Sequence, residues 1–253
     1  MSSINKRGQV TIFIILALIL VVIIALFFAI PRKPKIETSS DNPSSYIEKC
    51  MKDSLEDAET FLLEQGGKIN PENYKEYEYK KIEYLCYTRN YYSPCISQYP
   101  NFIASLNKEI ENYSKPLIET CFNNMKKDFE KKGYQVSMGN LEKLESELGM
   151  GTMKIYAKKN IEIAKGENSR KVDEFSRAID SPLYDLAVLA VEIASQEAKY
   201  CYFSYDGYMI LYPEFEIEKF QTGDNTKIYT LNKKGDNRKL NIAIRSCVMP
   251  PGL

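Results

Sequence analysis

The chain has 253 residues, with 34 Lys+Arg balanced by 34 Asp+Glu, six Cys, and neither His nor Trp. Without histidine there is no Ser-His-Asp or Cys-His catalysis, no His-ligated zinc and no His-ligated haem. A net charge of zero lacks the basic surplus that captures nucleic acid, so no nucleic acid is expected as a partner.

The charge is unevenly placed. Residues 1–30 carry only Lys6 and Arg7 and no acid, which leaves 32 basic and 34 acidic side chains in the other 223 residues. Residues 1–9 read as a short basic leader or cytoplasmic tip. From Val10 to Ile30 run 21 residues, all apolar except Thr11. As a helix this segment would rise about 1.5 Å per residue, roughly 31 Å in all, which matches a bilayer core. The pattern predicts a transmembrane helix over 10–30, with the lipid bilayer as a partner. Lys6 and Arg7 on one flank nearly balance Arg32, Lys33 and Lys35 on the other, so charge alone does not orient the span. The cysteines do. All six lie beyond residue 30 and none is spaced C-x-x-C, which suits disulfides in an oxidising compartment. A single-pass protein of the cell membrane with residues 31–253 outside is the expected arrangement. The sequon Asn112-Tyr113-Ser114 would then make Asn112 a glycosylation acceptor.

Lys6-Arg7-Gly8-Gln9, followed directly by the apolar run, resembles the class III signal of archaeal type IV pilin-like proteins. The resemblance implies cleavage between Gly8 and Gln9, with the hydrophobic helix kept as anchor or filament core. The position where such pilins carry a Glu is Phe13 here. Tyr46-Ile47-Glu48-Lys49-Cys50, Gln65-Gly66-Gly67-Lys68-Ile69 and the tail from Ala243 to Gly252 resemble uncharacterised archaeal single-span membrane proteins. That resemblance implies location and architecture, and no activity.

Residues 31–43 contain Pro31, Pro34 and Pro43 and read as a semi-extended linker. Residues 44–140 then form a helical, Tyr-rich part. Asn42-Pro43 opens a helix in which Ile47, Cys50, Met51, Leu55, Ala58 and Leu62 recur at helical spacing, and Gly66-Gly67 ends it. A second helix is predicted from about Ser105 to Lys131, with Ile110, Tyr113, Leu117, Cys121, Met125 and Phe129 on its apolar face and Pro116 as a kink. Between them, residues 74–99 hold eight Tyr, and a second cluster of five lies at 200–212. Tyrosine couples a large apolar ring to a polar tip, which suits half-buried strands as well as contact surfaces for glycan or protein.

Residues 141–253 read as an α+β part. Segments 152–158 and 160–165 alternate and predict a hairpin. Ser181-Pro182 opens a helix through Lys199. Strand-like segments near 201–204, 208–219, 226–232 and 238–248 are separated by Asp206-Gly207, Gly223-Asp224-Asn225 and Gly235-Asp236, and predict a C-terminal antiparallel meander. The expected fold is therefore α+β: one N-terminal transmembrane helix, two ectodomain helices, then a hairpin, a helix and the meander.

Six cysteines allow fifteen full pairings. Proximity along these elements ranks Cys201 with Cys247 first, then Cys86 with Cys95, leaving Cys50 and Cys121 on the two helices, with free buried thiols as the alternative. Catalytic motifs are not found. Ser105-Leu106-Asn107-Lys108 matches S-x-x-K without its companion motifs. Asp53, Glu56, Asp57 and Glu59 read as a solvated helix face rather than a calcium site. Asp224-Asn225-Thr226 reads as a turn, and no phosphate loop or dinucleotide fingerprint occurs. No cofactor is expected. These features favour a membrane-anchored, extracytoplasmic structural or interaction protein of the cell envelope, pilin-like in its N-terminus, with envelope proteins or glycans as partners. A tethered ligand-binding or sensor domain is the alternative. An extracytoplasmic hydrolase built on Asp/Glu ranks third.

Overall fold

A computed structural model describes residue 20 and residues 42–250. Helix α1 (Pro43–Glu64) begins where Asn42 accepts a hydrogen bond from the Ser44 N–H at 3.1 Å, with Pro43 in its first turn. Its apolar stripe buries Ile47, Met51, Leu55 and Leu62 completely. The chain leaves α1 through Gly66 and Gly67, both at positive φ, and enters the hairpin β1 (Tyr74–Tyr77) and β2 (Lys80–Tyr87). A two-residue strand, β3 (Ile96–Ser97), pairs with the end of β2. Helix α2 (Phe102–Lys131) is capped by Asn101, whose side chain accepts from the Ala104 N–H.

The second sheet follows: β4 (Gln135–Met138), β5 (Lys143–Gly149), β6 (Thr152–Lys165) and β7 (Asn168–Asp180). Central β6 pairs with β7 along one side and with β4 and β5 along the other, all antiparallel. Helices α3 (Leu183–Tyr200) and α4 (Tyr205–Leu211) lead back to the first sheet through β8 (Phe215–Gln221), β9 (Lys227–Lys233) and β10 (Leu240–Arg245). That sheet runs β1-β2-β10-β9-β8, with β3 beside β2. α1 touches β7 and β10, and α3 touches strands of both sheets. One apolar core therefore joins the helices to the inner face of each sheet.

The α+β class fits this architecture, but the expected arrangement is corrected at several points. No helix among the described residues is long and apolar enough to cross a membrane. The transmembrane helix expected at 10–30, apart from residue 20, lies outside the described residues, as do the leader and most of the linker. The hairpin expected within 152–165 is one continuous strand, β6. A bulge between Lys158 and Ile161 absorbs the break in pattern, and the partner strand is β7. β7 escapes the hydrophobic pattern because most of its side chains are exposed and only Phe175 is buried. Its place is set by pairing with β6. The expected strand at 201–204 is absent, and the start of the expected 208–219 strand is instead helix α4, which covers 205–211. Nor is the C-terminal sheet a pure antiparallel meander. β10 pairs antiparallel with β9 and parallel with β2. Leu240, Ile242, Ala243 and Ile244 are all fully buried, so β10 needs a neighbour on each side and takes the middle of the sheet. On α2 the buried row runs through Ile110, Ser114, Ile118, Phe122 and Met125, while Leu117 is 42% exposed.

Candidate functional site

The two faces of the six-stranded sheet differ in what covers them. Its inner face carries Leu85, Tyr229, Leu231, Ile242 and Ile244, all packed in the main core. Its outer face carries a small separate cluster of buried residues, Ile82, Tyr84, Ile228 and Ala243, with the partly buried Tyr77 and Tyr87 packed against it. No helix residue belongs to this second cluster. Strand alternation places these side chains together: Ile82 and Tyr84 lie two apart on β2, and Ala243 sits opposite Tyr84 across the parallel pair and opposite Ile228 across the antiparallel one.

Aromatic rings extend the cluster to both edges. Tyr77 and Phe220 pair with centroids 5.0 Å apart, and Tyr84 and Tyr87 at 4.7 Å. The guanidinium of Arg245 lies 5.9 Å from the Tyr87 ring and 5.8 Å from that of Tyr91, within cation–π range. Tyr84 shares a 3.1 Å hydrogen bond with Thr226, and Lys75 pairs with Asp224 at 2.8 Å. Burial raises the Tyr84 phenol above its ordinary range. Burial alone would also raise Asp224, but hydrogen bonds from Lys75, Thr222 and the Thr226 N–H outweigh it and hold that carboxyl well below the usual range. Phe220 stays 50% exposed. The result is a buried apolar cluster edged by rings, with Phe220 and Tyr91 the most exposed of them.

At one end of this face, α1 and the loop before β10 form the rim of a polar cleft of about 450 Å³. Its floor includes Thr230 and Asn241, opposite each other on β9 and β10 and joined by a 2.9 Å hydrogen bond. Arg238 bonds Asp236, Asp180 and Glu59 at its edge. Burial raises the Glu59 carboxyl above its usual range, against hydrogen bonds from Ser181 and Arg238 that act to lower it.

A second polar cluster lies inside the protein. Fully buried Glu197 on α3 accepts from Tyr229 OH at 2.6 Å and from Lys227 Nζ at 2.5 Å. Lys227 also donates to the Cys201 carbonyl, and Ser246 Oγ donates to the Glu197 carbonyl. Each buried charge is compensated, so this cluster fastens α3 to β9 and β10 and does not present a reactive group.

The cysteines form three disulfides: Cys50–Cys121, Cys86–Cys95 and Cys201–Cys247, with Cα separations of 6.4, 5.4 and 5.6 Å. They tie α1 to α2, β2 to the loop before β3, and the end of α3 to the segment after β10. Asn112 is exposed in the middle of α2, whereas Ser114 of the same sequon is fully buried. The folded helix therefore does not present the hydroxyl half of that motif. Gly8 and Gln9 lie outside the described residues. Ser105 and Lys108 sit one turn apart on α2, and Asp224-Asn225-Thr226 forms the β8–β9 turn. Asp53, Glu56 and Asp57 are exposed, but Glu59 is buried at the cleft. Its position was legible: it falls four residues after Leu55 and three before Leu62, inside the apolar stripe. No group of three or more His, Cys, Asp or Glu among the described residues could hold a metal ion. Eight-Tyr clustering marked Tyr77, Tyr84, Tyr87 and Tyr91 in the sequence, but nothing local marked Phe220, Thr230 or Asn241 as their neighbours. No protein-family model, curated protein or solved structure matches the chain.

Proposed function

We propose that this protein is an extracytoplasmic interaction protein of the cell envelope, which contacts protein or glycan partners through the outer face of its six-stranded sheet. The observation that carries the reading is the set of rings around the buried cluster on that face, of which Phe220 and Tyr91 are 50% and 47% exposed and which no helix residue joins. Such a surface loses little conformational entropy on binding, because its rings are already paired and its strands are fixed. Three disulfides in a domain that already has a large core support an oxidising location.

Photo-crosslinkers placed at Phe220 on this face and at Met150, in the β5–β6 turn of the other sheet, test the reading in native cells. Adducts to envelope components are expected from position 220 and not from 150. Equal labelling, or none from 220, would refute the contact surface. Thiol blocking of intact cells followed by non-reducing peptide mapping tests the location: all six cysteines recovered as free thiols would refute it.

A further inference from the structure

The polar cleft at the end of the outer sheet face combines ion pairs that tie α1 to the strands with neutral hydrogen-bonding groups. Its volume, about 450 Å³, falls in the range of small-molecule sites, about 300–1,000 Å³. Its charged groups narrow the kind of molecule it suits. Arg238 is its one guanidinium, and its donors are already taken. Nε and Nη2 serve Asp236, Nη2 also serves Asp180, and Nη1 bonds both oxygens of Glu59 and the Asp180 carbonyl. An anion would have to displace three carboxylates to reach it. The lysines are committed too: Lys80 pairs with Glu64 at 2.9 Å and Lys239 with Glu218 at 3.8 Å. The carboxylates do not converge on a metal site. What remains is a lining of many donors and acceptors in which three of the four carboxylates, Glu59, Glu64 and Glu218, are paired with Arg238, Lys80 and Lys239, and Glu78 is left over. Thr60, Thr230, Asn237 and Asn241 add neutral hydrogen-bonding groups, and Tyr77, tilted against Phe220, adds an aromatic wall.

A second observation points to the same place. The two-residue turn that joins β1 to β2 is Glu78-Tyr79, and both residues have positive φ, 49° and 63°. Turns of this kind normally take Asn-Gly or Gly-Gly, and a bulky side chain there is a conformational outlier. Glu78 lines the cleft, and Tyr79 is fully exposed beside it. Strain of this sort is found where a surface is built for contact rather than for stability.

From this geometry we infer that the cleft binds an uncharged polyhydroxylated ligand, a short neutral saccharide. Hydroxyls donate and accept at once, so they match a lining of both kinds without breaking an ion pair. The Tyr77 ring in the lining offers an apolar face for a sugar ring. This rests on the contact-surface reading above and assigns a ligand class to one end of that surface.

The test is saturation-transfer NMR on the full chain with three neutral disaccharides, maltose, cellobiose and chitobiose. Di-galacturonate serves as the anionic comparator and the glucosamine disaccharide as the cationic one. At least one neutral disaccharide is expected to bind, more tightly than both charged ones. Thr230→Val and Glu218→Gln should each weaken it about fivefold or more, the equivalent of one hydrogen bond, at unchanged melting temperature. Tyr156→Ala, on the other sheet, should leave it unchanged. The inference is overturned if no neutral disaccharide binds, if a charged dimer binds more tightly, or if neither cleft variant weakens binding. Loss of saccharide binding with crosslinking at position 220 intact would remove the ligand class and leave the contact surface standing.

Discussion

The Cys50–Cys121 disulfide offers the sharpest quantitative test of how the helical layer is held. It joins α1 to α2 across a sequence separation of 71 residues. In the chain-entropy treatment, closing a loop of that length removes about 4 kcal/mol of denatured-state freedom. Replacing both cysteines by alanine should therefore lower stability by about 4 kcal/mol. Cys121 is 4% exposed and packs in the main core, so the lost sulfur contacts add to this figure and do not offset it. For a domain of this size, about 2–4 °C of melting temperature corresponds to each kcal/mol, which gives a drop of roughly 8–16 °C. Differential scanning calorimetry of the oxidised wild type and the double variant measures it. In the presence of reductant the difference between the two proteins should shrink sharply, because both then lack the link. A drop below about 3 °C in the oxidised proteins would refute the reasoning. It would mean that packing between α1 and α2 already restricts the unfolded chain, or that the bridge does not form.

The other predictions concern the buried network, a constrained loop and alkaline pH. Glu197→Ala strands the Lys227 ammonium and the Tyr229 hydroxyl, and should cost about 3–5 kcal/mol. Tyr229→Phe removes one bond and should cost about 1–3 kcal/mol. Urea unfolding of both variants checks this, and equal costs would contradict it. Gly67→Ala should destabilise by about 2–5 kcal/mol. Its φ is +86°, and an added Cβ would lie 2.5 Å from the Phe102 ring; an unchanged denaturation midpoint would show that the loop simply shifts. Burial, reinforced by the charges of Glu197 and Glu83 respectively, pushes the Tyr229 and Tyr99 phenols well above their ordinary range. The folded state thus keeps protons that the unfolded chain gives up near pH 10. Stability should be intact below that value and fall as pH rises above it, with a shallower fall in a Tyr229→Phe, Tyr99→Phe double variant. Parallel urea midpoints from pH 8 to 11 would decide the point.

Features that obey local rules are legible in the chain before it folds. The stripe Ile47, Met51, Leu55, Leu62 with Asn42-Pro43 before it predicts α1, because a helix closes its hydrogen bonds within four residues and its period shows in a single segment. Ser181-Pro182 marks the start of α3 for the same reason, and the missing histidine removes whole classes of mechanism with no structure needed. The tertiary structure alone decided the sheets. Nothing near Leu240–Arg245 announces a parallel partner at Tyr84–Tyr87, because that pairing joins segments about 160 residues apart in the chain. β7 buries only one side chain, so no apolar period marks it and the ladder with β6 sets its place. The contact face and its cleft come from the same non-local step. Tyr77 meets Phe220, and Glu59 meets Arg238, only because β1, β8, β10 and α1 converge. Strand pairing obeys a period of two that any register satisfies locally, so the burial of the whole core has to choose among them.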